Sequence, residues 1–111
     1  MNQFAQRILA ATPKQLDLAT GVVSTVFGQW DKQKDLGGGQ GTLIWKATNP
    51  QVKKLGVKGM VTLTYKDRML TLAIGDEFAQ GSSWVYIRKA LRNMKTPAAK
   101  ALLKVRNPHG R

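Results

Sequence analysis

The stretch MVTLTYKDRMLTLAIG, residues 60–75, decides the fold. If Asp67-Arg68 forms a two-residue turn, Tyr65 faces Leu70, Leu63 faces Leu72 and Val61 faces Ile74. Those six side chains make one apolar face, as the two-residue period of a strand requires. The opposite face then carries Thr62, Thr64, Lys66, Thr71 and Ala73. Asp-Arg is not a favoured type I′ pair, which leaves a longer turn as an alternative at the tip. The matched faces establish an antiparallel hairpin with one side for a core and one for solvent.

Upstream, residues 42–47 are short and rich in Ile, Leu and Trp, which reads as a further strand. Trp45 shares a side with Leu43 and is expected in the core with Trp30, since large aromatics are usually largely buried. Residues 49–59 hold Pro50, Gly56 and three lysines and read as a loop. Residues 32–35 are polar, and Gly37-Gly38-Gly39-Gln40-Gly41 reads as a solvated linker.

Helices are expected on either side of these strands. Thr12-Pro13-Lys14-Gln15 has the composition of a capping-box start, with Thr at the N-cap and Pro at the first helical position. Leu16, Ala19, Val22, Val23, Val26, Phe27 and Trp30 follow at helical spacing. A mildly amphipathic helix is read before it, over residues 1–11. Ser82 or Ser83 can cap a helix over Trp84–Met94 whose apolar stripe is Trp84, Ile87, Leu91 and Met94. Thr96-Pro97 opens a shorter helix with Ala98, Ala101, Leu102 and Val105 on one side. The expected class is α+β: a small antiparallel sheet of about three strands, with helices before and after it packed on one face. At 111 residues this is one domain, over 1–106, with 107–111 as a flexible tail.

Composition narrows the chemistry. There is no cysteine, which excludes disulfides and thiolate metal sites. The one histidine, His109, lies in the expected tail, where nothing fixes it as a general base. Asp76-Glu77 is the only adjacent acidic pair and has no third carboxylate beside it, a poor basis for a metal site. No catalytic residue, metal or cofactor is therefore expected. No run reaches the ~20 apolar residues of a membrane span and no segment reads as a secretory signal. The expected setting is cytoplasmic or nucleoid-associated, the host cytoplasm if the protein is viral, and not secreted.

Charge is the informative signal. The chain has 18 Lys and Arg against 6 Asp and Glu, formally +12. Residues 46–111 hold 14 of those bases against 3 acids, a net of +11, and nothing acidic follows Glu77. One-signed charge of this density costs self-repulsion unless an anionic partner neutralises it, and DNA or RNA is the commonest such partner. On the Trp84–Met94 helix, Lys89 lies almost opposite the apolar stripe, beside Tyr86 and Arg92, with Arg88 and Lys95 at the flanks. Cations there would meet phosphates while Tyr86 could stack on an unpaired base. Lys100 and Lys104 extend the set along the last helix. A second set comprises Lys46, Lys53, Lys54, Lys58, Lys66 and Arg68, around the Thr-rich outer face of the hairpin.

These residues imply a non-enzymatic nucleic-acid-binding protein that works mainly through phosphate contacts and prefers single strands or structured RNA. Sheet edges left unpaired would favour a homo-oligomer. Two other readings compete: a ribosomal or capsid-like assembly subunit of a nucleoprotein particle, and an inhibitor docking on an acidic protein surface. Gly38-Gly39-Gln40 also resembles the Gly-Gly-Gln tripeptide of translation release factors, which implies a Gln40 amide placed near a peptidyl-tRNA ester. The residues that flank that tripeptide in the bacterial family are absent here.

Overall fold

A computed structural model describes residues 12–105. The helix read over 1–11 and the tail read over 107–111, with His109, lie outside the described residues. The first described element, α1 (Pro13–Phe27), begins as its sequence requires. Thr12 Oγ1 accepts the Gln15 N–H at 3.2 Å, and Gln15 Oε1 accepts the Thr12 N–H at 2.8 Å. The reciprocal pair satisfies two backbone donors that a helix start otherwise leaves open. The helix ends at Gly28, whose φ of 80° takes the chain out of helical geometry. Trp30 lies beyond it, in the connection to the sheet.

The sheet has five strands: β1 (Lys32–Gly37), β2 (Gln40–Trp45), β3 (Val61–Lys66), β4 (Met69–Ile74) and β5 (Glu77–Gly81). They lie in chain order, every neighbour antiparallel. The central hairpin has the register its alternation implied, with Val61 opposite Ile74, Leu63 opposite Leu72 and Tyr65 opposite Leu70. Its turn is two residues long, not longer. Asp67 and Arg68 both take positive φ, 52° and 62°, as a type I′ turn demands.

Two strands went unread. The polar run at 32–35 and the glycines after it are not a linker but a β-hairpin, with Lys34 opposite Thr42 and Lys32 opposite Ile44. Gly37, Gly38 and Gly39 all have positive φ at its turn. Residues 77–81 form the fifth strand, so the sheet exceeds the expected three. Within the loop read over 49–59, a short helix α2 (Pro50–Lys54) forms on an Asn49 cap. The chain closes with α3 (Trp84–Met94) and α4 (Pro97–Lys104). The latter starts on a Thr96 Oγ1 that accepts the Ala99 N–H at 3.2 Å. Ser83 holds the N-cap position of α3, but its side chain makes no capping bond.

All described helices share one core with one face of the sheet. Trp45 is fully buried and donates Nε1–H to the Gly28 carbonyl at 2.7 Å. Phe27 and Trp30 pack around it at ring separations of 6.5 and 6.3 Å. Val61, Leu63, Leu70, Leu72 and Ile74 meet Ile87, Leu91 and Leu102 in the same cluster. Helix on sheet is thus a two-layer α+β arrangement.

Candidate nucleic-acid interface

Strand alternation leaves a second face to the sheet. The register places its residues in two cross-strand rows. One runs Lys34, Thr42, Thr64, Thr71, Gln80, and the other runs Lys32, Ile44, Thr62, Ala73, Phe78. None of these ten is fully buried, and no described element packs over them. Thr42 and Thr64 hydroxyls are 3.1 Å apart and share a hydrogen bond across β2 and β3. Lys66 and Met69 face each other at one end of the rows, and at the other Lys46 and Met60 adjoin the last β2–β3 pair, Trp45 and Val61. No acidic side chain sits at any outward position of either row.

Phe78 is 62% exposed on this face, a large apolar side chain turned to solvent. The cause lies on the other side of β5. Of its inward register positions, Glu77 is exposed at the start of the strand, and Ala79 and Gly81 follow where α3 lies directly on it. A Cβ at Gly81 would come within 2.5 Å of Tyr86 Cβ. Only small residues fit beneath the helix at those two positions, and Phe78, the one large apolar side chain of β5, points outward. Hydrophobic periodicity assigns a phenylalanine to the core, and here packing of the helix overrides it.

The base of Lys46 is fixed from below. Asp31 Oδ2 accepts the Asn49 amide at 3.0 Å and the Lys46 backbone N–H at 2.9 Å. These two hydrogen bonds, the Asn49 one foremost, hold the Asp31 carboxyl below the ordinary aspartate value. At the opposite end, Gln40 Oε1 accepts the Asp67 N–H at 2.6 Å and so ties the β1–β2 hairpin to the β3–β4 turn. Gln40 Nε2 faces the Gly37 carbonyl at 3.5 Å. The Gln40 side chain is therefore engaged within the protein, and it braces the edge of the open face.

The expected basic residues fall into two layers. Lys46 and Lys66 belong to the open sheet face, with Arg68 at the adjoining turn. Lys53 and Lys54 are exposed at the end of α2. Lys58 lines a cavity of about 270 Å³ together with Asp76 and Glu77. Tyr86, Lys89 and Arg92 are exposed on α3, with Arg88 half-buried and Lys95 exposed at its C-cap, and Lys100 and Lys104 are exposed on α4. Tyr86 is 46% exposed. The α3 face looks away from the core, so the helix set and the sheet set lie on opposite sides of the molecule. Lys32, Lys34 and Phe78 belong to the open face and were not among the residues singled out from sequence. The lysines alternate with Gln33 and Asp35 in β1, a period-two signal once the strand is known.

Among the described residues no group of three His, Cys, Asp or Glu side chains could hold a metal ion. No described helix is long and apolar enough to cross a membrane. Compared with protein-family models, curated proteins and solved structures, the chain shows no significant match.

Proposed function

We propose that this chain is a non-enzymatic nucleic-acid-binding protein that holds single-stranded nucleic acid or structured RNA on the open face of its sheet. The observation that carries this is a sheet face that no described element covers, without an acidic side chain in its two rows, with Lys32, Lys34, Lys46 and Lys66 around it and an exposed Phe78 within it. Lysines neutralise phosphates without reading sequence, and an exposed aromatic ring stacks on any unpaired base. A broad sheet face suits single strands, whereas reading a duplex takes a helix or ribbon narrow enough to enter the major groove. The Gly-Gly-Gln reading is not favoured, because the Gln40 side chain is occupied in bracing the turn.

A second reading has its own observation. Basic residues cover both layers, so one bound strand leaves α3 and α4 unneutralised. An assembly subunit with nucleic acid on both sides would use them all.

Binding titrations with labelled single- and double-stranded DNA and RNA, at several salt concentrations, test the proposal. The expected result is preference for single strands and an affinity that falls steeply with salt. No binding to any of the four at low salt would overturn it in favour of an acidic protein partner.

A further inference from the structure

The two rows of the open face differ in character, and the difference matches the two edges of a nucleic-acid strand. One row is hydroxyl- and amide-bearing: Thr42, Thr64, Thr71 and Gln80, ending at Lys34. The other is more apolar: Ile44, Thr62, Ala73 and Phe78, ending at Lys32. Along each strand the rows are two residues apart, or about 6.8 Å. Across the sheet, four strand intervals separate β1 from β5, or about 19 Å. A single strand of nucleic acid likewise has a polar sugar-phosphate edge and an apolar base edge. On duplex these bases are stacked and paired inside, and no such edge is free.

Resting on the reading above, we propose that a single strand crosses the β-strands rather than following them. Its bases lie along the Ile44–Ala73–Phe78 row and its backbone along the threonine row. Phe78 anchors one end by stacking, and Lys32 and Lys34 neutralise phosphates at the other. A stacked chain advances about 3.4 Å per nucleotide, and a splayed one roughly twice that. The 19 Å path therefore holds about three to six nucleotides, at the lower end of the site sizes of single-strand platforms. The middle of the path offers no cation. It is made of small side chains, Thr64, Thr71, Thr62 and Ala73, over which a strand can lie flat.

The test uses the full chain and fluorescein-labelled oligothymidylates of two to sixteen nucleotides, read by anisotropy. Affinity should climb to a length of about three to six and then gain only the statistical increase of overlapping sites. Phe78→Ala should weaken the eight-nucleotide ligand about five- to 150-fold, the range for loss of one stacked base, and barely change duplex binding. Because Phe78 is mostly exposed, this change empties no core. Thr71→Glu sets a carboxylate in mid-path and should weaken single-strand binding at least tenfold. Gln29→Glu makes the same charge change at an exposed site off the face and should stay within twofold of the parent. Thermal melts confirm that each variant folds. If Phe78→Ala and Thr71→Glu both bind like the parent, or affinity climbs steadily beyond about ten nucleotides, the path is wrong while the nucleic-acid reading stands. If the parent binds no single strand, both fall.

Discussion

Replacing Lys32, Lys34, Lys46 and Lys66 together by Gln separates the sheet face from every other basic surface. All four side chains are exposed, so the substitution removes no buried contact. The magnitude follows from counting. Each phosphate neutralised on a single strand contributes roughly 0.7 to the slope of log affinity against log salt. Four contacts therefore contribute about 2.8, and over a fourfold rise from 50 to 200 mM that is about 50-fold in affinity. The variant should lose that share of the salt response and bind more weakly at 50 mM. Its net charge falls from +12 to +8, counting four lost lysines, so reduced self-repulsion should hold or raise the melting temperature. Anisotropy titrations of an eight-nucleotide strand at five salt concentrations give both slope and affinity. The comparison arm is Lys89→Gln, Arg92→Gln and Lys95→Gln on α3. If the sheet variant keeps the parental slope and the helix variant loses it, the reasoning is refuted and the helix layer is the interface.

Three further outcomes test the framework. Gln40→Ala removes the clasp on the Asp67 N–H and should cost about 0.5–1.5 kcal/mol by urea denaturation, whereas Asp67→Asn with Arg68→Gly should stabilise by roughly 1 kcal/mol or more, since ordinary residues are strained at positive φ. Leu91→Ala empties a fully buried site and should cost about 2–5 kcal/mol, while Lys89→Ala with Arg92→Ala, exposed on the same helix, should leave the melting temperature unchanged or higher. Because the Asp31 carboxyl is held below its ordinary value, its contribution to stability is complete above the unfolded aspartate pKa of about 3.9 and is lost as pH falls through the lowered folded value. Asp31→Asn should flatten the acid limb of a stability–pH profile in that window.

How far the sequence could be read depended on which side chains meet a core. Residues 60–75 were legible because both strands of the hairpin alternate and bury the same face. The stripes of α1 and α3 were legible for the same reason at helical period. β1 was not, since all six residues of Lys32–Gly37 are exposed and its pairing with β2 rests mainly on backbone hydrogen bonds. A strand with no buried face carries no apolar alternation, and three glycines after it read as a linker. β5 was lost through inversion: the residues beneath α3, Ala79 and Gly81, are small, and its large apolar residue, Phe78, points outward beside Gln80. The short Asp-Arg turn formed against its own preference because the register of two well-matched strands, with the Gln40 brace, outweighs about 1–2 kcal/mol of strain per residue. The basic face of α3 could be read from periodicity alone. The open sheet face could not, because its rows exist only once five strands are in order.

If the proposed binding holds, the two basic layers act over different ranges, and salt decides which of them a bound strand feels. Their outward surfaces are separated by more than the roughly 10–12 Å diameter of a helix with its side chains. At about 0.01 M salt the screening length is near 30 Å, so cations on α3 and α4 attract a polyanion lying on the far side of the sheet. At about 0.15 M it shrinks to near 8 Å, and only charges beside the strand still count. Low-salt binding therefore reports the net charge of +12 and cannot locate the interface. Near physiological salt the contribution of Lys32, Lys34, Lys46 and Lys66 stands apart from that of Lys89, Arg92, Lys100 and Lys104. On the proposed path, stacking on Phe78 would carry no charge and lose little with salt, so its share of the binding free energy would grow as the electrostatic share falls. The aromatic residue that packing of α3 forced outward is thus the contact on which high-salt binding should most depend.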